Sequence, residues 1–208
     1  MDDGRAAAAH VWGDLRPGHY QTIMADPPWR YTGPMGVPTR VGRVTRNRGV
    51  ISQYASMTTG QIEELPVGYL AAPECHLYLW VTNGFLHDGF HVLEAWGFEY
   101  KACLTWNKTG HLGLGYWFRN QTEHILFAVR GAQRTRAASI KTSFAAPKKG
   151  HSVKPEEAFR IAETASYGPR VELFARQRRP GWDCWGDQVS DIEPLPFALD
   201  DDHLSAEG

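Results

Sequence analysis

The chain has 208 residues, a formal net charge of −1 and 42% hydrophobic residues. This length suits one domain, and the apolar fraction excludes a wholly disordered chain. No apolar run approaches the roughly 20 residues that a membrane helix needs. The acidic start lacks the apolar segment of a secretory signal, and three widely spaced cysteines form no disulfide framework, so a cytoplasmic location is expected.

In chain order, the apolar patterns predict covered strands separated by amphipathic helices. Strands are predicted at 21–25, 75–82, 98–106, 124–130 and 170–175, and helices at 59–65, 85–97 and 155–165. A long loop is predicted at 32–55, and we expect one domain over 1–190 followed by an acidic tail at 191–208. This order indicates an α/β fold with a mostly parallel sheet.

Asp26, Pro27, Pro28 and Trp29 follow the first predicted strand directly. Ligands of open α/β sheets bind beyond the carboxyl ends of the strands. Two prolines stiffen the backbone and remove two N–H donors, which leaves a rigid group of oxygen acceptors beside an indole. Such a group suits a planar ligand that carries an amino group, such as adenine or cytosine. An ordinary tight turn after a strand explains the same spacing equally well.

The segment MADPPWRY resembles the catalytic motif of the adenine-N6 methyltransferases, in the tryptophan form of the family that contains the catalytic subunit of the messenger-RNA N6-methyladenosine writer. Further segments resemble that family in the same order. They are LYLWVTNGFL, EAWGFEY, TWNKTG, GLGYWFRNQTEHILFAVRG, HSVKPEEAF and VELFARQRRPGWDCWGDQ. Together they cover most of residues 20–190, and the short chain looks like a bacterial or phage member.

The resemblance implies a Rossmann-like methyltransferase fold in permuted order, with helices on both faces of the sheet, and S-adenosylmethionine as the methyl donor. It implies that Asp26 and Pro27 receive the target amine, that Trp29 packs on the adenine, and that Asp26 also approaches the donor amino group. The remaining residues that it assigns to the donor are Lys154, Glu172, Phe174, Arg176, Asp187 and Gln188. A strand-edge salt bridge is a competing explanation for Glu172.

Basic and aromatic residues cluster in segments that could meet phosphates and bases. The candidate nucleic-acid contacts are Arg30, Arg40, Arg43, Arg46, Arg48, Tyr116, Arg119, Asn120, Arg134, Arg136, Lys148 and Lys149. Charge clusters alone favour ordinary solvated loops. Core packing is the favoured prediction for the neighbouring Trp117 and Phe118. The nine histidines show no spacing typical of metal ligands, so no metal site is predicted.

These observations predict an enzyme that methylates the N6 of adenine in DNA. Methylation of RNA is the first alternative, since one pocket can accept an unpaired adenine from either polymer. A second alternative is a non-catalytic methyltransferase-like subunit that only binds nucleic acid, although this chain keeps the motif that inactive members lose. A protein partner or a homodimer is compatible with so small an enzyme, and no membrane association is expected.

Overall fold

The computed structural model describes residues 11–31, 56–110, 117–149 and 153–186. Its strands are β1 (Tyr20–Ala25), β2 (Ala71–Val81), β3 (Glu99–Thr109), β4 (Thr122–Arg130), β5 (Ser143–Pro147), β6 (Arg170–Leu173) and β7 (Asp183–Trp185). Its helices are α1 (Thr59–Glu63), α2 (Val67–Leu70), α3 (Leu86–Ala95) and α4 (Glu156–Ala165), and a 3-10 turn at Asn83–Phe85 precedes α3. No described helix has the length and apolar character required to span a membrane.

The seven strands form one sheet in the order β5-β3-β4-β2-β1-β6-β7. β1 pairs in parallel with β2 and β6, β3 with β5, and β6 with β7, whereas β4 is antiparallel to both β2 and β3. Every strand except β4 therefore points the same way. The carboxyl ends of these strands and the amino end of β4 meet at one edge of the sheet, which we call the catalytic edge.

Alternating residues of the central strands pack against helices on opposite faces of the sheet. In β1, Ile23 belongs to the core that includes α1 and α3, whereas Met24 belongs to the core that includes α4. The register pairs these two residues with Leu77 and Tyr78 of β2, which divide between the same two cores. Burial on both faces explains why these strands are nearly continuous apolar runs in the sequence.

The α/β class, the Rossmann-like arrangement and the helices on both faces are confirmed, but several details differ from the sequence prediction. β5, β7 and α2 were not predicted, and β5 lies within the basic segment 134–149. The predicted helix at 85–97 begins at Leu86, after the 3-10 turn. The sequence predicted β4 as a covered strand but did not predict that it runs antiparallel to its neighbours. The acidic tail at 191–208 lies outside the described residues and stays a prediction.

A buried polar cluster joins the central sheet to the end of α4. The Ser166 hydroxyl is hydrogen-bonded to His76 Nδ1 at 2.7 Å and to the Tyr78 hydroxyl at 2.7 Å. The other ring nitrogen of His76 contacts the carbonyl oxygen of Gln133 at 3.0 Å. Ser166 and His76 are fully buried, and burial lowers the pKa of His76, so the imidazole is held neutral.

We expect Ser166→Ala to lower the free energy of unfolding by about 1–3 kcal/mol, because it leaves two buried polar groups without their shared partner. Urea denaturation followed by circular dichroism measures this difference. Ser143→Ala is the matched control, since Ser143 is an exposed serine of β5. Equal stability of the two variants would show that the buried polar cluster contributes nothing to the free energy of unfolding.

Candidate active site

The Asp26–Trp29 turn leaves the catalytic edge directly after β1 and is held by backbone hydrogen bonds. The Asp26 amide donates to the Leu173 carbonyl of β6 at 3.4 Å, and the Trp29 amide donates to the Pro27 carbonyl at 2.9 Å. The Met57 amide donates to the Pro28 carbonyl at 2.8 Å. The Pro27 oxygen keeps a second lone pair, so it can still accept a hydrogen bond from a ligand.

Trp29 lies in the core beneath the turn and is only 8% exposed. Its indole N–H donates to the Trp80 carbonyl oxygen at 3.1 Å, and its ring stacks on Phe85 with the centroids 5.1 Å apart. The packing of Trp29 on adenine that the resemblance implies stays a prediction. The contacts with Trp80 and Phe85 hold the ring in place and so support the turn.

Four charged side chains form a continuous network at the catalytic edge. Lys154 Nζ lies 2.9 Å from Asp26 Oδ1 and 3.1 Å from Glu123 Oε2, and Lys108 Nζ lies 2.5 Å from Glu123 Oε1. The Lys154 and Asp26 side chains are 15% and 25% exposed. Two carboxylates and two ammonium groups balance, so the network is neutral overall although it is largely removed from water.

The pKa directions within the network follow from burial and from the neighbouring charges. Burial raises the pKa of Asp26 against the opposing effects of Lys154 and Arg176. Burial alone would lower the pKa of Lys154, but Asp26 and Glu123 together raise it. Burial alone would raise the pKa of Glu123, but Lys154 and Lys108 lower it. Lys154 therefore stays charged, and Asp26 is the carboxylate that accepts a proton more readily than usual.

Two members of this network, Glu123 and Lys108, were not assigned a role from the sequence. Both lie in segments that resemble the family, TWNKTG and NQTEH, but they are 15 residues apart and meet only because β3 and β4 are antiparallel neighbours. The ring of Trp106 lies 5.2 Å below the Lys108 ammonium, and that of Trp80 lies 4.9 Å from the Lys154 ammonium. Buried indoles therefore support both lysines from beneath.

Asp26 and Lys154, both predicted to bind the donor, are brought together by the structure. Lys154 immediately precedes Pro155, the residue that caps α4, so its ammonium and the positive helix end lie close together. An amino-acid group carries one ammonium and one carboxylate, and Asp26 and Lys154 present the complementary pair of charges. The residues present therefore fit the methionine part of S-adenosylmethionine.

Glu172 lies one strand away, on β6, opposite Met24 of β1. Its Oε2 atom is buried and has no hydrogen-bond partner among the described residues. Burial raises the pKa of Glu172 to about 7, although Arg179 acts in the opposite direction. Among the described residues, Glu172 forms no strand-edge salt bridge. Arg179 forms its ion pair with Glu156. An unpaired buried carboxyl oxygen fits a ligand hydroxyl such as that of a ribose.

The remaining predicted donor residues follow β6 closely. Phe174 has a left-handed backbone with φ of 63°, which turns the chain away from the sheet, and its ring packs edge-on against Trp185 at 5.5 Å. Arg176 is exposed and lies close enough to Asp26 to influence its pKa. Asp187 and Gln188 lie outside the described residues and stay predictions.

Comparison with known proteins decides the family. The MT-A70 family profile matches residues 20–188. The chain belongs to the MT-A70 family. It is 31% identical over 194 residues to the type II methyltransferase M.MunI of Mycoplasma sp. The aligned region covers 87% of this chain and 82% of that protein. This chain is therefore a methyltransferase, as its sequence motifs predict.

Longer eukaryotic proteins match the same region of the chain. The human N(6)-adenosine-methyltransferase catalytic subunit METTL3 is 28% identical over 189 residues, covering 86% of this chain. A Medicago truncatula protein named as a putative N(6)-adenosine-methyltransferase is 29% identical over 192 residues. This chain spans only 30% and 28% of the lengths of these two relatives.

The predicted nucleic-acid contacts of this MT-A70 protein divide between two regions. Arg30, Arg119 and Asn120 are exposed near the catalytic edge, and Lys148 and Lys149 follow β5 at the same edge. The Arg30 guanidinium donates to the Ser56 carbonyl oxygen at 3.0 Å. The other predicted contacts, Arg40, Arg43, Arg46, Arg48 and Tyr116, lie outside the described residues.

Arg134 and Arg136, two of the predicted nucleic-acid contacts, lie at the edge of the sheet opposite the catalytic edge. β4 runs antiparallel, so it ends at Arg130 opposite Cys75, near the start of β2. The Arg136 amide donates to the Ala165 carbonyl at the far end of α4, and its guanidinium lies 5.4 Å from the Tyr167 ring. We therefore leave both arginines out of the interface proposed below.

The expectation that Trp117 and Phe118 pack in the core is wrong, because each is 85% exposed. They precede β4 at the catalytic edge, beside Arg119 and Asn120. The apolar pattern of the sequence could not show this, because an aromatic pair looks the same in sequence whether it faces the core or solvent.

We expect Glu172→Gln to raise the free energy of unfolding at mildly alkaline pH by roughly 2 kcal/mol, after a discount for partial exposure. The folded pKa of about 7 is above the ordinary value of 4.5, so ionised Glu172 opposes folding. This destabilisation is absent below about pH 4.5 and complete above about pH 7. The gain should therefore shrink as the pH falls.

Chemical denaturation at several pH values measures the Glu172 effect. Glu157→Gln in the first turn of α4 is the control, because the Glu157 side chain is 37% exposed. If the difference in stability between Glu172→Gln and wild type were independent of pH, the raised pKa of Glu172 would be contradicted.

Proposed function

We propose that this MT-A70 protein transfers a methyl group from S-adenosylmethionine to the exocyclic N6 of adenine in DNA. The observation that carries the proposal is the juxtaposition of the Asp26 carboxylate and the Pro27 carbonyl with the Lys154 ammonium at the catalytic edge. The first pair supplies acceptors for an amine, and the lysine supplies a counter-charge for the donor carboxylate.

The amine of adenine is a poor nucleophile because its lone pair is conjugated with the ring. Hydrogen bonds from its two N–H groups to the Asp26 carboxylate and the Pro27 carbonyl favour a more tetrahedral nitrogen and expose that lone pair. When bound, the donor supplies a methyl group on a sulfonium, which passes to the nitrogen as the carbon–sulfur bond breaks. The raised pKa of Asp26 suits it to receive the proton that the amine loses.

The turn is stiff before any ligand binds, and this stiffness is part of the proposed mechanism. Pro27 and Pro28 fix two backbone angles, and Trp29 anchors the end of the turn to Trp80 and Phe85. Acceptors that are already in place need little reorganisation as charge develops on the amine. Positioning and electrostatic preorganisation of this kind account for most of the rate in such transfers.

DNA is the favoured substrate because of the extent of the match to known proteins. The type II methyltransferase M.MunI is matched over most of its own length, whereas the N(6)-adenosine-methyltransferases are matched over less than a third of theirs. A duplex substrate must release the target base from the stack to reach Asp26. Basic residues at the catalytic edge, including Arg119 and Lys149, would contact phosphates, so binding should weaken steeply with salt.

The deciding experiment incubates the purified protein with isotopically labelled S-adenosylmethionine and either DNA or RNA from a host without adenine methylation. Nucleosides are then separated and identified by mass spectrometry. We expect labelled N6-methyladenine from DNA. Label only from RNA would replace DNA with RNA as the substrate. Nucleic-acid binding without transfer to either polymer would support a non-catalytic subunit instead.

A further inference from the structure

An ion pair joins the start of α4 to the segment that follows β6, and the proposed mechanism does not use it. The Arg179 guanidinium donates two hydrogen bonds to the Glu156 carboxylate, Nη1 to Oε2 and Nη2 to Oε1, the second at 3.1 Å. The Arg179 side chain is only 13% exposed, whereas that of Glu156 is 51% exposed. The hydrogen bonds from Arg179 are the main cause of a lowered pKa of Glu156. Two parallel bonds to a planar guanidinium fix orientation as well as distance.

Aromatic side chains hold the Arg179 end of this ion pair against α4. The guanidinium lies over the buried Phe159 ring, with its central carbon 3.5 Å from the ring centroid. Trp182 packs edge-on against the same ring at 5.6 Å, and its indole N–H donates to Glu163 Oε1 at 2.8 Å. The Trp182 amide also donates to the Arg179 carbonyl at 3.2 Å, which closes a turn between them. The segment 179–182 is therefore attached to α4 from its first turn to its last.

The same ion pair lies close in sequence to Lys154. Glu156 is the first residue of α4, and Lys154 lies two residues before it, across the Pro155 cap. A residue that precedes proline is restricted to extended backbone, so a shift of the start of α4 would carry Lys154 with it. A donor ammonium bound to Asp26 would share that carboxylate with Lys154, which makes the anchorage of the Lys154 backbone more important when the donor is bound.

We propose that the ion pair between Glu156 and Arg179 positions Lys154 for the carboxylate of the methyl donor. The inference rests on the proposed function for the identity of the donor, but it concerns donor binding and not the base that is methylated. Because Arg179 belongs to the segment after β6, the ion pair fixes Lys154 relative to Glu172. It thereby sets the span between the group that would bind the donor carboxylate and the group that would bind its ribose. Glu156 acts through Lys154 and does not touch the donor itself.

Glu156→Ala is the informative variant, because it breaks the ion pair and keeps the Arg179 charge that acts on Glu172. We expect the Kd for S-adenosylmethionine, measured by isothermal titration calorimetry without nucleic acid, to rise roughly 10-fold. Binding of 5′-methylthioadenosine, which has the ribose and sulfur but no carboxylate, should stay at the wild-type value. Glu156→Gln keeps one acceptor oxygen and should recover part of the affinity.

Glu157→Ala is the matched control. Glu157 lies in the same first turn of α4, but its ion pair is with Arg160 of the same helix, at 3.3 Å. Both substitutions remove one negative charge from the start of the helix. A general effect of charge or of the helix dipole would therefore change donor binding equally in the two variants. We expect Glu157→Ala to bind S-adenosylmethionine with wild-type affinity.

A double-mutant cycle with Lys154→Met separates positioning from a general loss of structure. If Glu156 acts through Lys154, Glu156→Ala should cause no further loss in a Lys154→Met background. Additive losses in this cycle would overturn the proposal. An unchanged Kd for S-adenosylmethionine in Glu156→Ala, an equal loss for 5′-methylthioadenosine, or an equal loss in Glu157→Ala would also overturn it.

Methyl transfer distinguishes a failure of this inference from a failure of the proposed function. If the variants show the expected losses of donor affinity but wild type transfers no methyl group to nucleic acid, the proposed function fails and the positioning role stands. If wild type transfers methyl groups and Glu156→Ala binds the donor with wild-type affinity, only the positioning role fails.

Discussion

Asp26→Ala should reduce methyl transfer at least about a thousandfold while the protein remains folded. The substitution removes the carboxylate that we propose accepts the amine N–H and receives its proton, and no other described carboxylate lies on the Asp26–Trp29 turn. Lys154 keeps Glu123 at 3.1 Å, so the lysine is not left without a counter-charge. Single-turnover transfer of labelled methyl groups measures the effect on the chemical step, free of product release.

Two further variants separate charge from hydrogen bonding and from general damage. Asp26→Asn keeps one acceptor oxygen, and the motif that this segment resembles occurs with either Asp or Asn, so we expect activity between those of wild type and Asp26→Ala. Asp88→Ala removes an aspartate of α3 that accepts a hydrogen bond from Thr59 at 2.6 Å and should retain wild-type activity. Near-normal turnover by Asp26→Ala would refute the proposed role.

The second large effect is expected for Lys154→Met, which should weaken binding of S-adenosylmethionine by about 10- to 100-fold. We propose that the Lys154 ammonium binds the donor carboxylate, and its contacts with Asp26 and Glu123 hold it in place. Isothermal titration calorimetry with the donor alone measures this loss without any nucleic acid. Lys154→Arg preserves the charge and should recover part of the affinity.

Removal of Lys154 should also make folding stability depend more strongly on pH. Without the ammonium, the pKa of Asp26 rises further above its unfolded value, and the pKa of Glu123 loses the lowering effect of Lys154, because one charge of the network is unbalanced. Ionised carboxylates then oppose folding, so stability is retained at mildly acid pH and lost as the pH rises. We expect a loss of about 3 kcal/mol at mildly alkaline pH, as is typical when one partner of a buried ion pair is removed.

Lys141→Met is the control for the Lys154 variant, since Lys141 is exposed and lies outside the network. It should change neither donor affinity nor the pH dependence of unfolding in urea. If Lys154→Met bound the donor with wild-type affinity, the assignment of Lys154 to the donor carboxylate would be wrong, whatever its effect on stability.

The local sequence was sufficient to predict the central strands and the position of the Asp26–Trp29 turn. Residues 21–25 and 75–82 are apolar because both faces of these strands are covered, and this pattern is visible without any partner. Asp26 follows such a strand directly, and strand ends in α/β folds collect at one edge. Pro155 followed by Glu156 and Glu157 marks the start of α4, because acidic residues in a first turn complement the helix dipole.

The directions of the strands and their pairing were decided only by the tertiary structure. A buried strand such as β4 is equally apolar whether it runs parallel or antiparallel, yet its direction places Glu123 beside Lys154 and carries Arg134 and Arg136 to the far edge. β7 has only three residues and β5 is largely exposed, so neither has a strong local pattern. Burial of Trp29 and exposure of Trp117 depend on what packs against each ring. Aromatic side chains have the same chemistry in both settings, so only contacts between distant segments determine which ring is buried and which is exposed.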